Sequence, residues 1–362
     1  MQLKPGLKVY QRSYCSAQVG EDHRIRVILD LEGPGEIELL RALAHESSSA
    51  NLRGILLRHG GAPHRAHELT KQLGDAGCLT RRAANQSHQW NVPPLQRERL
   101  AAEAETRSLV EPEGWYAAAS RLRQAVSVYG LGRTGAQLAV NLAAAGLGSL
   151  QLFDRQDVAG RDVGQVYSPE HIGMPRIQAL TRIIDLAGYP CEVRAKGPLS
   201  QPNAAVITGC DVVDPHRADF LSSHMVPHLP IVIGEISITC GPWVNPLTGP
   251  CTWCQALWRA EADPAWYVVA SQQCAASPLG RRGEDTTLAA LAGAHGAAQV
   301  LAALAGETPT TQGRSITFSL PDYSPSWAEH QIHPDCTRHG TARLGDLATS
   351  WSIWAADDPA WY

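Results

Sequence analysis

The 362-residue sequence predicts an α/β protein. Its expected parts are a Rossmann-like domain with a mostly parallel sheet and a structural zinc site, preceded by a small winged-helix-like α+β module. Three observations predict this. A strand, a glycine turn, a helix, a second strand and an acid follow one another between residues 125 and 154. A CxxC pair and a CxxH pair lie far apart in the remainder of the chain. The first 80 or so residues alternate short strands with short helices, a pattern of a layered α+β unit.

In the N-terminal part, Arg24–Leu31 has apolar and β-branched residues at strand spacing. Gly33, Pro34 and Gly35 break the chain before a helix expected over Glu36–Ala44. A further helix is expected within Ala62–Gly77, where Leu69 and Leu73 lie one turn apart and Gly77 ends the run. The bland alternative for residues 1–80 is a structural extension. Residues 81–109 are polar and read as a linker, ending in a helix over Arg97–Ser108. The large domain is expected over 110–362.

Its first strand is Ala125–Tyr129. The turn Gly130-Leu-Gly132-Arg133-Thr-Gly135 opens a helix over Ala136–Ala145, which Gly146 ends. Ser149–Phe153 is the next strand, and Asp154 follows Gly135 by 19 residues. The physics of this motif is specific. Gly130 permits the tight turn, Gly132 lets the backbone approach a phosphate, and Gly135 lets helix pack on strand. The helix N-terminus offers free N–H groups to an anion, and Asp154 can accept from ribose hydroxyls. The motif alone does not choose between ATP and NAD.

Cys251 and Cys254 form the first chelate pair, after a Gly/Pro-rich turn. Cys336 and His339 form the second, with His333 as rival fourth ligand. Two such pairs make a tetrahedral zinc site. Their separation is too great for an autonomous finger, so the fold must bring them together and the metal would staple the C-terminal segment to the core. CxxC alone would also suit redox chemistry, but here it has a second pair. The other cysteines are read more plainly. Cys274 is a loop cysteine with thioester chemistry as the rival reading. Cys15, Cys78, Cys191, Cys210 and Cys240 are expected to be buried as small hydrophobes.

Composition excludes several classes. The apolar fraction of 44% excludes general disorder. A net charge of −4 argues against a nucleic-acid binder. Met1–Tyr10 has no apolar signal region, so a cytoplasmic location is expected. Leu288–Ala305 is rich in Ala and Leu but carries His295, Gln299 and two glycines, so a buried core or interface helix is expected, not a membrane span. The terminal WSIWAADDPAWY reads as a strand or a docking tail. No HExxH and no G-x-S-x-G occurs, so neither a zinc-protease site nor a serine-nucleophile elbow is indicated.

The stretch GLGRTGAQLAVNLAAAGLGSLQLFDRQDV, the segment IGMPRIQAL, and GPCTWC with CTRH together resemble the ThiF/MoeB adenylyltransferases, relatives of ubiquitin-activating enzymes. The resemblance covers about residues 115–345. DPAWYVVASQQ and the late HPDC are similar to its branch in ribosomal-peptide maturation. There, residues 1–80 would correspond to a PqqD-like module that binds a leader peptide by strand addition. The resemblance implies ATP chemistry, in which a peptide carboxylate attacks the α-phosphate and pyrophosphate leaves. Gly130, Gly132, Arg133 and Gly135 would hold phosphates and Asp154 the ribose. Asp211, after a strand over Ala204–Thr208, would hold Mg²⁺, with Asp214 competing for that role. It also implies a homodimer.

This chain departs from the family at three places. Arg133 replaces a turn glycine. Arg176 replaces the phosphate lysine, and a guanidinium is not an equivalent point charge. The family's catalytic arginine falls on Gly164 or Gln165, with Arg161 nearest but out of register. Three function classes follow from these readings. They are an adenylyltransferase using ATP, Mg²⁺ and structural Zn²⁺, a leader-peptide scaffold serving a YcaO-like cyclodehydratase, and an NAD-dependent oxidoreductase.

Overall fold

The computed structural model describes residues 1–45, 47–80, 92–110, 114–195, 201–276 and 283–337, the side chains of 274–276 excepted. Residues 338–362, which include His339 and the aromatic terminal segment, lie outside that set, as does the side chain of Cys274. The chain divides into two compact units, Met1–Ser120 and Arg121–Tyr362.

In the first unit, β1 (Gln2–Leu3) pairs antiparallel with β5 (Leu79–Thr80). Strands β2 (Val9–Ser13), β3 (Ser16–Val19) and β4 (Val27–Asp30) form an antiparallel sheet in that order. Helices α1 (Pro34–Ala42), α2 (Ser49–Arg58) and α3 (Pro63–Asp75) pack one apolar core with them, centred on Leu29, Leu39, Leu40, Leu56, Leu69 and Leu73. Both Pro34 and Pro63 stand in the first turn of their helices, where the missing N–H costs nothing. The buried carboxylate of Glu36 accepts from Arg65 at 2.8 Å, and Arg65 also donates to the Asp30 carbonyl. This pair ties the end of β4 to α1 and α3. Helix α4 (Pro94–Ser108), inside the segment read as a linker, belongs to this unit. α5 (Gly114–Arg121) follows it. Cys15, expected to be buried, is exposed in the β2–β3 turn. A two-residue hairpin turn has no core to enter.

The second unit is built on an eight-stranded sheet. β6 (Ala125–Tyr129) is central. On one side lie β7 (Ser149–Phe153) and β8 (Glu192–Arg194). On the other lie β9 (Ala204–Cys210) and β10 (His228–Ile233). These five strands are parallel. Strands β11 (Ser237–Cys240), β12 (Arg314–Ser319) and β13 (Pro325–Glu329) extend the sheet antiparallel. The chain leaves β6 toward β7 and returns on the opposite side as β9. That reversal opens a crevice at the carboxyl ends of β6 and β9, the usual ligand position in such sheets.

Helix α6 (Arg133–Ala144) and the apolar helix α11 (Thr286–Leu304) cover one face. α11 is long and apolar enough to cross a membrane by length and composition. Here it packs on α6 and the sheet, with Leu288, Ala292, Ala297 and Val300 in the main core. Its glycines explain the close approach. A Cβ on Gly296 would meet Leu138 at 2.8 Å and Ile231 at 2.9 Å. Helix α7 (Arg176–Leu186) follows the long loop after β7, and α8 (Pro215–Ser223) lies against the face of the sheet that carries Tyr129 and Ile207. α9 (Thr252–Ala262) and α10 (Trp266–Ala276) form a helical pair between β11 and α11 in the chain.

Candidate functional site

The glycine turn after β6 sits in the crevice, and each glycine has a separate physical reason. Gly130 has φ +88°, a left-handed conformation that costs glycine little. A Cβ there would also strike Thr208 Oγ1. That hydroxyl donates to the carbonyls of Tyr129 at 3.1 Å and Gly130 at 3.2 Å, latching the turn to β9. A Cβ on Gly135 would strike the Gly130 carbonyl, and one on Gly132 would strike the carboxylate of Glu284.

Glu284, which the sequence did not single out, closes the mouth of the turn. Its Oε2 accepts from the Thr134 backbone N–H at 2.8 Å and from Thr134 Oγ1 at 2.5 Å. A carboxylate thus occupies the free N–H of the helix that the motif offers to a phosphate. The residue precedes Asp285, which caps α11 by accepting from Thr287 and Leu288 N–H. An acid before an Asp cap was the only local signal.

Arg133 does not point into open space. It donates to the Glu284 carbonyl at 2.7 Å, to Thr286 Oγ1 at 2.9 Å and to the Val163 carbonyl at 2.6 Å. It therefore ties the start of α6 to the start of α11 and to the loop after β7.

Asp154 and Arg176 meet in that loop. Asp154 Oδ2 accepts from Leu131 N–H at 2.6 Å and from Arg176 at 3.2 Å, and its Oδ1 accepts from Gln156 N–H at 2.8 Å. Arg176 donates both 2.8 Å bonds of its NH2 group to Asp162. The side chains of Arg176, Asp154 and Asp162 are 6%, 4% and 6% exposed. Burial works against the Arg176 charge, but the fields and hydrogen bonds of Asp154 and Asp162 outweigh it and raise its pKa. Tyr167, buried beside them, donates to the Leu131 carbonyl at 3.0 Å, and burial raises its pKa. Arg161 is exposed on the turn Gly160–Asp162, whereas its neighbour Asp162 turns inward. Around the turn, two guanidiniums (Arg133, Arg176) stand against three carboxylates (Asp154, Asp162, Glu284).

Asp211 immediately follows β9 at the crevice, half-exposed, with φ +63°. A non-glycine residue in this region is held there by its surroundings, and its N–H donates to the Ile233 carbonyl at 2.9 Å. Asp214 has a different task. It caps α8, accepting from His216 and Arg217 N–H. Tyr129 and Phe153, the last residues of β6 and β7, stack at 4.4 Å, and the Arg217 guanidinium lies 4.5 Å over Tyr129.

The cysteines converge as their spacing predicts. Cys251 Sγ lies 3.7 Å from Cys254 Sγ and 3.7 Å from Cys336 Sγ, all three buried. Thiolates on one tetrahedral zinc at about 2.3 Å would be about 3.8 Å apart. Cys251 is the N-cap of α9, where the helix dipole favours a thiolate. Without a metal, burial and the neighbouring sulfurs push its pKa up to about 12. The rival ligand His333 is otherwise engaged. Its Nδ1 accepts from Asp335 N–H at 3.1 Å and its Nε2 donates to Glu261 at 3.0 Å.

Residues 116–338 match the ThiF family model. No curated protein sequence matches the chain. Among solved structures, Escherichia coli MccB with ATP superposes with a TM-score of 0.70 at 13% identity, covering 94% of this chain and 99% of that one. The microcin C7 biosynthetic enzyme MccB in complex with N-formylated MccA gives 0.69 at 14% identity, with the same coverage. PaaA gives 0.60 at 14% identity, over 79% of this chain and 97% of that one. At these identities the structures attest the fold, and the family match carries the assignment: the chain belongs to the ThiF family.

Proposed function

We propose that the protein is an ATP-dependent adenylyltransferase that activates the C-terminal carboxylate of a ribosomal precursor peptide. The observation that carries this reading is the Glu284 carboxylate on Thr134 N–H, at the open end of the glycine turn. It marks an anion-binding position in the crevice, as a nucleotide phosphate requires. ThiF membership favours ATP over NAD as the nucleotide. Fold likeness to MccB, a protein solved with ATP and with the peptide MccA, supports both substrates.

In the reaction a peptide carboxylate oxygen bonds to the α-phosphorus of ATP. The bond from that phosphorus to the bridging oxygen breaks, and pyrophosphate carries away the electron pair. Gly130, Gly132 and Gly135 keep the turn open to phosphate, and Thr134 N–H donates to it once Glu284 withdraws. Arg133 holds the turn against α11, and Arg176 holds Asp154 in place. Asp211 would hold Mg²⁺, which neutralises phosphate charge, with Asp214 spent on its cap. Cys251, Cys254 and Cys336 would hold a structural zinc with His339 as fourth ligand. The first unit, with β2 and β4 as outer strands of a three-stranded sheet, would bind a leader peptide by strand addition. A homodimer in the cytoplasm completes the reading.

One observation favours a second reading, a scaffold that presents the peptide to a YcaO-like cyclodehydratase. Arg176, the expected phosphate cation, is consumed by Asp154 and Asp162. The two readings separate on incubation with ATP and candidate precursor peptides. The first predicts a peptidyl-adenylate by mass and equimolar pyrophosphate, reduced about 10²–10³-fold by Asp211→Asn. Tight peptide binding without either product would support the scaffold.

A further inference from the structure

Beside Asp211 lies a cavity of about 260 Å³ that neither the glycine turn nor the sulfur cluster accounts for. Its wall toward the crevice is Val212 and Val213, the two residues that follow Asp211. Pro230 and Val232 of β10 form its floor. The far side is aromatic, with Trp253 from α9 and Trp266 and Tyr267 from α10.

These rings are set in position. Trp253 donates its indole N–H to Asp219 at 2.9 Å and packs on the side where Cys251, Cys254 and Cys336 converge. The Arg259 guanidinium lies 4.8 Å over Trp266. Among the described residues no carboxylate pairs with Arg259, so its remaining donors can serve peptide carbonyls. Tyr267 is 45% exposed at the rim. Rigid aromatic walls, few polar groups and an open mouth are the features of an anchor pocket for one large side chain.

We propose that this cavity receives the side chain of the last residue of the peptide, and that it selects an apolar and above all an aromatic side chain. The inference rests on the peptide-activation reading above. The juxtaposition supplies its logic. A side chain seated against Val212 and Val213 leaves its own carboxylate at the Asp211 turn, because Val212 directly follows the acid. Binding energy gained there is then used to orient the reacting group.

The experiment uses the full chain and acetylated tripeptides ending Gly-Gly-Phe, Gly-Gly-Leu, Gly-Gly-Asp and Gly-Gly-Gly, with adenosine as a further probe. Affinities are read by calorimetry for the wild type and for two variants that fill the cavity from different helices, Ala256→Leu and Ala270→Leu. Both positions line it. The Phe peptide is expected to bind at least tenfold tighter than the Gly and Asp peptides, with Leu between. Each filling variant should weaken the Phe peptide at least tenfold and leave adenosine binding unchanged. Having two variants guards against one that fails to fold. Equal affinities across the peptides, or a preference untouched by both variants, would overturn the proposal. So would loss of adenosine binding in place of peptide binding. ATP–pyrophosphate exchange with the same peptides separates the two claims. A cavity-dependent Phe preference without exchange retains the pocket and removes the adenylation reading. Exchange indifferent to the last residue does the reverse.

Discussion

Glu284 and Thr134, 150 residues apart in the chain, are joined by two hydrogen bonds at the mouth of the glycine turn. The acceptor is a carboxylate, and the donors are the ones a phosphate would use. In the proposed reading, protein and nucleotide compete for one position. Replacing Glu284 by Gln removes the charge that opposes phosphate. Hydrogen bonds to charged groups are worth about 1.5–3 kcal/mol. ADP affinity should accordingly rise about tenfold or more in Glu284→Gln, measured by calorimetry. In the absence of nucleotide the variant should melt slightly lower, because a helix cap is worth about 1 kcal/mol. Unchanged ADP affinity would show that the carboxylate does not stand in for phosphate.

Arg176 offers the opposite sign. Removing one partner of a buried ion pair leaves uncompensated charge and costs about 3–5 kcal/mol. Arg176→Ala should therefore lower nucleotide-free stability in a urea titration by about that amount, leaving Asp154 and Asp162 unpaired. Arg176→Lys should recover part of it, because an ammonium cannot fork onto Asp162 as the guanidinium does. A cation waiting only for phosphate would leave nucleotide-free stability unchanged in both variants.

His228 predicts a pH dependence. It is fully buried; burial pushes its pKa down to about 4, against a weaker upward pull from its hydrogen bond to the Val226 carbonyl. Between about pH 6.5 and 4 the unfolded chain binds a proton at this site that the folded chain refuses. Stability is thus full above pH 6.5 and falls as pH drops toward 4, by about 3 kcal/mol in all. His228→Gln should flatten that part of the stability curve. An equal slope in wild type and variant would contradict the assignment.

The three converging thiols predict one bound zinc per chain, by elemental analysis of protein purified without chelator. Cys254→Ser should lower zinc content and the melting temperature together, as expected for a metal that couples binding to folding. Full zinc content in that variant would place the metal elsewhere.

Much of the second unit was legible in the sequence because it is written locally. The strands at 125–129 and 149–153 lie where short apolar runs place them, and Gly130, Gly132 and Gly135 gain their meaning from the strand before them, the helix after them and the acid beyond. Asp214 was read only as a rival Mg²⁺ ligand, and its cap role emerged from the structure, where it precedes Pro215 at the first helical position. What the sequence concealed was long-range. Asp154 could be placed at a strand end, but not the three donors that occupy its oxygens. Arg176 could be aligned with a phosphate cation, but not its two buried carboxylate partners. Glu284 carries no motif at all, and its role exists only because α11 packs against α6.

The proposed reaction joins a peptide carboxylate to the α-phosphate of ATP in this crevice. Exchange of labelled pyrophosphate into ATP tests it most directly, using a precursor peptide with a free C-terminal acid and the same peptide as its amide. Exchange is expected with the acid, none with the amide, and loss of exchange in Asp211→Asn. Equal signals from acid and amide, or no exchange with a peptide that binds the protein by calorimetry, would contradict it.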